Sequence, residues 1–214
     1  MIDTPMVPTD AVKWRDEIEE SGTVRYIINT HHHVDHITGN HFFPGMVVSH
    51  EGMRELFTAP ATSFVGSDRI EKAMASKGAV EYIRWRVSEP FPECLPLLEG
   101  YDLKPPTITF TERLYLYLGG HTFELIHLPG HTATHIGVYI PQEKVFFAGD
   151  NFTNRTQPSL AHSLPLEWVE SLTRVEAMDI DVVVPGHGEV CDKSVIREFR
   201  LFLQQCIGII IYCP

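Results

Sequence analysis

The apolar positions of this chain come in short runs whose period changes along its length. Thr9 reads as the cap of a helix over Asp10 to Glu20, acidic near its start and stopped by Gly22. Before it, Ile2-Asp3-Thr4-Pro5 has the form of a strand tail entering a loop. Tyr26-Ile27-Ile28-Asn29-Thr30 is a compact apolar run, as a buried strand requires, and Met46–Ser49 is a second, followed by a short helix over Glu51–Phe57. Residues 58–106 break this rhythm with two helix-like pieces, Ser67–Ser76 and Ala79–Val87, and a Pro-rich connector from Pro90 to Pro106. The segment is too short and too thinly apolar for a core of its own, so it is expected as a helical insertion that walls or covers a site.

From Thr107 the pattern is that of strands. Arg113–Leu118 and Thr122–Leu128 flank Gly119-Gly120-His121 as a hairpin, and Thr134–Ile140 and Lys144–Phe147 pair around Pro141-Gln142-Glu143. Leu166–Met178 reads as an amphipathic helix, Asp181–Val184 as a buried strand and Lys193–Gln205 as a last helix. After Gln205 the run Cys206-Ile207-Gly208-Ile209-Ile210-Ile211-Tyr212-Cys213-Pro214 leaves the helical pattern and suits a strand, an aggregation-prone edge or a non-native end. The order of elements predicts an α/β chain, one domain over 1–214 with helices outside a two-sheet sandwich.

Composition narrows the partners. With 17 basic and 28 acidic residues in 214 the formal charge is −11, which argues against a nucleic-acid surface built on clustered Lys and Arg. Cys94, Cys191, Cys206 and Cys213 have no CxxC or zinc-ribbon spacing and read as thiols in a reducing compartment. The start, Met1-Ile2-Asp3-Thr4-Pro5, has neither the basic nor the apolar region of a signal peptide, and no run is long enough to span a membrane. The expected location is cytoplasmic, with no membrane partner.

The chemistry is concentrated at Thr30-His31-His32-His33-Val34-Asp35-His36. Four histidines and an aspartate in six residues make a poor core, whereas imidazole and carboxylate are good ligands for zinc and similar cations. His31 and His33, two apart in extended backbone, project to the same side and can hold one metal; Asp35 and His36, at the following turn, can face a second. Three more donors stand at predicted strand ends: His131 after Leu128-Pro129-Gly130, Asp150 after Val145–Gly149, and His187 after Val182–Gly186. In both Pro-Gly-His stretches the Pro-Gly pair is expected to turn the chain so that the imidazole points off the strand end. His32 points to the other side and reads as structural or exposed, His135 reads as structural or as a support behind a ligand rather than a ligand itself, and His41, His50, His121, His127 and His162 have no partner pattern. Arg155 is read first as a solvated loop arginine and second as a contact for a substrate carboxylate. Trp14, Trp85 and Trp168 read as core or interface aromatics.

The set HxHxDH, PGHT, GD after an apolar strand, and PGHG resembles the metallo-β-lactamase-fold hydrolase superfamily over nearly the whole chain, and within it the glyoxalase-II-like and lactonase-like branch. The resemblance implies a four-layer αββα sandwich binding two divalent metal ions, zinc first, with iron or manganese as alternatives. It implies that His31, His33 and His131 hold one ion, that Asp35, His36 and His187 hold the other, and that Asp150 bridges them. A water shared by the ions would be the nucleophile, and Asp35 would carry a proton besides ligating. Thr30, Thr132 and Asn40 are candidates to orient ligands from behind. Members usually begin with two or three further strands, so the first sheet is expected to be incomplete at the N-terminus. The expected substrate is a small acyl compound, a thioester or a lactone. A phosphodiesterase or RNA-processing nuclease and a mononuclear iron-dependent sulfur oxygenase use the same ligands and stay open. Penicillin hydrolysis is disfavoured because the family's β-lactamases lack the bridging aspartate, and a scaffold role would leave eroded ligands, of which there are none.

Overall fold

The computed structural model describes residues 1–58 and 77–212, with the backbone alone at 77–80, 82, 88 and 209–212. The chain divides into two compact units, Met1–Thr109 and Phe110–Pro214. The predicted helix Ser67–Ser76 lies outside the described residues.

In the first unit helix α1 spans Pro8–Glu19. Thr9 is inside it rather than its cap: Pro8 takes the first position, where a missing N–H costs nothing, and Val7 is the extended residue before it. Gly22 closes the far end as expected, its N–H donating to Ile18 O at 3.0 Å. Strand β1 (Tyr26–Ile28) pairs in parallel with β2 (Met46–His50), and β3 (Ile108–Phe110) follows on the far side of β2. Ile2 bridges Ile28 on the other flank of β1, so the first residues extend this sheet.

After β1 a loop leads into the one-turn helix α2 (Val34–Ile37), a 3-10 turn (Thr38–Phe42) and, beyond β2, helix α3 (Glu51–Thr58). Helix α4 spans Lys77–Ser88 and covers the predicted Ala79–Val87. Its Ile83 and Val87, with Cys94, Leu98, Tyr101 and Leu103 of the connector, pack against Val34 and Ile37 of α2. The described part of the insertion therefore builds core behind the turn that carries Asp35 and His36. Three cationic side chains pin it by capping carbonyls: Lys104 to Phe43 O at 2.6 Å, Arg54 to Pro106 O at 2.5 Å, and Arg84 to Leu98 O.

The second unit is a five-stranded sheet in sequence order, β4 (Arg113–Leu118), β5 (His121–His127), β6 (Ile136–Ile140), β7 (Val145–Thr153) and β8 (Val182–His187). The β4–β5 hairpin turns on Gly119 and Gly120, both left-handed at φ 59° and 83°, the requirement of a two-residue turn that only glycine meets without strain. All pairs are antiparallel except β7–β8, which run parallel. Helices α5 (Pro165–Glu176) and α6 (Ser194–Tyr212) supply Trp168, Leu172, Ile196 and Phe199 to a core shared with Phe146, Phe152 and Val183 of the strands.

Three expectations are corrected here. Strand β7 does not close at Asp150 but continues to Thr153, paired with β8 through two register shifts. Pro185-Gly186-His187 is extended strand, not a turn. The apolar tail forms no strand: α6 continues to Tyr212, because propagating an existing helix adds one hydrogen bond per residue and outweighs the weak β preference of isoleucine. Among the described residues no helix is long and apolar enough to cross a membrane.

Candidate metal centre

The donors of the first unit sit in the loop from β1 into α2. His31 lies at the centre of the cluster, its ring centroid 4.6 Å from that of His33 and 4.2 Å from that of His36. Ring nitrogens of His31 and His33 lie within 4.8 Å of each other, and Asp35 Oδ2 lies 3.6 Å from His36 Nε2. His31 is fully buried and Asp35 is about a third open. The side-chain contacts behind the donors select which nitrogen faces a cation. His31 Nδ1 meets Thr30 Oγ1 at 3.1 Å and His36 Nδ1 meets Asp3 Oδ2 at 2.8 Å, which assigns Nε2 of both rings to the metal side. His32 is buried rather than exposed, its ring edge-on to His33 at 4.9 Å.

Asp3 is the residue the sequence reading missed. Its Oδ1 accepts the Thr30 N–H at 2.8 Å, and its Oδ2 accepts the Thr30 hydroxyl at 2.7 Å besides facing His36. An acid inside an apolar strand tail was the available signal. Beneath it lies a buried amide pair: Asn40 donates to Asn29 Oδ1 at 2.7 Å, Asn29 donates to His36 O at 3.1 Å, and Thr4 donates to Asn40 Oδ1 at 3.0 Å. Thr30 and Asn40, candidates for this supporting role, do stand there.

Asp3→Asn isolates the carboxylate, because asparagine tolerates the left-handed φ of 53° at this position as well as aspartate does. It is expected to weaken metal binding by about 10–100-fold with the fold retained. Competition with a chelator of known affinity measures it, and unchanged affinity would reduce Asp3 to a loop anchor.

In the second unit the donors converge on one carboxylate. Asp150 Oδ2 lies 3.4 Å from His131 Nε2 and 3.4 Å from His187 Nε2. That spacing is long for an imidazole–carboxylate hydrogen bond, whose usual length is about 2.9 Å. It matches two ligands on one tetrahedral ion, since bonds of about 2.1 Å place neighbouring donors about 3.4 Å apart. His131 Nδ1 faces Ser159 O at 3.1 Å, again turning Nε2 inward. The chemistry of the donor set thus fits divalent metal ions.

Asn151, also missed, holds this half together. Its side chain accepts the His131 N–H at 2.8 Å and donates to Leu128 O at 2.6 Å, stapling both ends of the Pro129-Gly130 loop. Its backbone N–H donates to His135 Nε2 at 3.2 Å, and its carbonyl accepts from Trp168 Nε1 at 2.9 Å.

The glycines of the two Pro-Gly-His stretches serve close approach rather than turning. A Cβ on Gly130 would lie 2.7 Å from Asn151 Oδ1 and 2.8 Å from the Trp168 ring, and one on Gly186 would lie 2.0 Å from Asp150 Oδ1.

Residues 1–187 match the family model of the metallo-beta-lactamase superfamily. The chain belongs to this superfamily. It is 28% identical over 184 residues to a hydroxyacylglutathione hydrolase of Brucella ovis, covering 86% of this chain and 54% of that protein. It is 31% identical over 113 residues to a linear primary-alkylsulfatase of a Pseudomonas species, covering 49% of this chain and 21% of the relative. The chain therefore spans about half or less of the length of these curated relatives. A metallo-beta-lactamase from Pontibacter korlensis superposes with a TM-score of 0.65 at 20% identity, over 95% of this chain and 81% of that one, and shows the shared fold.

Proposed function

We propose that this chain is a two-metal hydrolase of small acyl substrates, thioesters in the first place. The observation that carries the reading is Asp150, whose Oδ2 stands 3.4 Å from Nε2 of both His131 and His187. In this reading His31, His33 and His131 hold one ion, Asp35, His36 and His187 hold the other, and Asp150 serves both. Bound divalent ions supply a lowered water pKa near neutrality and a polarised carbonyl oxygen. The residues do the positioning. Asp3 and Thr30 keep the His36 and His31 rings turned to the centre, and Asn151 keeps His131 in register with Asp150. Asp35, partly open and beside His36 Nε2, is the group placed to receive the proton that water gives up. No serine or cysteine nucleophile is needed.

The thioester preference is supported by the hydroxyacylglutathione hydrolase likeness along 86% of the chain. A sulfate-ester substrate is the second reading, favoured by the 31% identity to the alkylsulfatase over a shorter stretch. The partner is a small molecule, since a net charge of −11 disfavours nucleic acid.

The test is elemental analysis of folded, metal-supplied protein together with turnover of an S-acyl thioester, a lactone, a primary alkyl sulfate and a bis-aryl phosphate. Two ions per chain, with the thioester cleaved fastest, is the expected result. Preferential cleavage of the alkyl sulfate or the phosphodiester would replace the substrate assignment, and a single iron would replace the mechanism.

A further inference from the structure

A groove of about 330 Å³ lies in the second unit between the end of β7 and the first half of α6. Phe152, Phe199 and Phe202 with Val195 form its apolar floor, and Arg155 from the chain just after β7 and Glu198 from α6 also line it. The floor is fixed: Phe152 and Phe199 are buried and pack edge-to-face with centroids 5.4 Å apart, while Phe202 remains half exposed. A volume at the small end of ligand sites, about 300–1,000 Å³, suits part of a substrate rather than a whole one.

The groove is tied to the metal donors through the backbone. Phe152 follows Asp150 by two residues, Thr153 pairs in register with His187, and the Asn154 N–H donates to His187 O at 2.8 Å. Asn154 Nδ2 also donates to Glu189 O at 2.8 Å, so the chain leading to Arg155 is braced against the loop after His187.

Arg155 itself is exposed, and its backbone is held in the left-handed region at φ 58°, which side-chain-bearing residues rarely adopt. Among the described residues it makes no ion pair and no hydrogen bond, so its guanidinium is not committed to the fold. Glu198, which lines the groove from α6, is also exposed and disfavours a second negative group.

We infer that this groove binds the apolar, monoanionic end of the substrate, with an aliphatic or aromatic body on the phenylalanine floor and a carboxylate on Arg155. The inference rests on the acyl-hydrolase reading and adds to it a substrate class: acyl compounds ending in a single carboxylate. Arg155 is then a specificity-determining residue. A planar guanidinium takes a carboxylate through two parallel hydrogen bonds, which an ammonium or an amide cannot reproduce.

The probe is 4-phenylbutyrate, titrated calorimetrically into the metal-loaded protein beside the neutral 4-phenylbutan-1-ol and the dianion phenylsuccinate. The expected order of affinity is 4-phenylbutyrate over the alcohol and over phenylsuccinate. Arg155→Gln is expected to weaken 4-phenylbutyrate by about tenfold and leave the alcohol unchanged, with Phe202→Ala weakening both. Equal affinity of wild type and Arg155→Gln for 4-phenylbutyrate would overturn the inference, since the carboxylate would then be held elsewhere, at the metals for instance. No binding of any probe at millimolar concentration would overturn it as well. Turnover separates the two readings. A thioester ending in a carboxylate and its methyl ester, cleaved with equal KM by wild type and Arg155→Gln, would remove the groove and keep the hydrolase. Arg155-dependent binding of 4-phenylbutyrate without thioester cleavage would keep the groove as an anion site and remove the hydrolase reading.

Discussion

Asp150→Ala is expected to abolish turnover and to lower the metal content of the folded protein below two ions per chain. The expectation follows from the position of its carboxylate: one oxygen, Oδ2, stands 3.4 Å from each of two imidazoles on different elements, the loop after β5 and the end of β8. Removing it takes away a donor common to both histidines and leaves them without the anion that makes a pair of cations tolerable in a buried site. The loss should exceed the roughly 10–100-fold that follows when a group behind a ligand is removed. The surface pair His121–Glu143, 2.9 Å apart, supplies the control. His121→Gln changes a histidine on an exposed hairpin end and should leave metal content and rate alone. Elemental analysis and turnover of both variants check this, and an Asp150→Ala protein that keeps two ions and its rate would end the two-metal reading.

The candidate donors were legible as candidates because each sits where an apolar run stops. A strand that must bury Ile27 and Ile28 cannot also bury His31, His33 and Asp35 without partners, so the break in hydrophobicity marks chemistry. The residues that hold the donors were not legible, because their partners are remote in sequence. Asp3 reaches His36 across thirty-three positions and Asn151 reaches His131 across twenty, and neither spacing leaves a local pattern. The same holds for the purpose of the motif glycines. Pro-Gly reads as a turn from local propensity, yet at Pro185-Gly186 the neighbouring strand β7 decides, and the glycine is required by what lies beside it. At Cys206–Tyr212 local propensity also lost, to a helix already nucleated at Ser194. The fold class was readable from element order alone, whereas strand ends and caps were set by these contacts.

That reading of Gly186 leads to a second large effect. In Gly186→Ala the new Cβ would sit 2.0 Å from Asp150 Oδ1 and 2.7 Å from the Gly149 carbonyl carbon, distances at which something must move. The carboxylate must rotate away, and because the Gly149 carbonyl carbon and, at 2.8 Å, the Asp150 nitrogen are backbone atoms of the β7–β8 ladder, the ladder must shift there as well. Rotating the carboxylate breaks the equal spacing to His131 and His187, and metal content should fall although no donor has been removed. Inserting a methyl group into a packed interior costs roughly 1–3 kcal/mol. For a chain of this size that corresponds to a Tm lowered by about 2–12 °C, at roughly 2–4 °C per kcal/mol. Gly208→Ala is the counterpart, since a Cβ there meets nothing within 4 Å and the residue lies inside α6. Alanine is favoured over glycine in a helix interior by about 1 kcal/mol, so this variant should melt about 2–4 °C higher with its metals intact. Calorimetry and elemental analysis on the pair give opposite signs if close approach to Asp150 is the reason for Gly186. Unchanged metal binding in Gly186→Ala would mean that the strand pair relaxes enough to admit a side chain, and that Asp150 is not held from below.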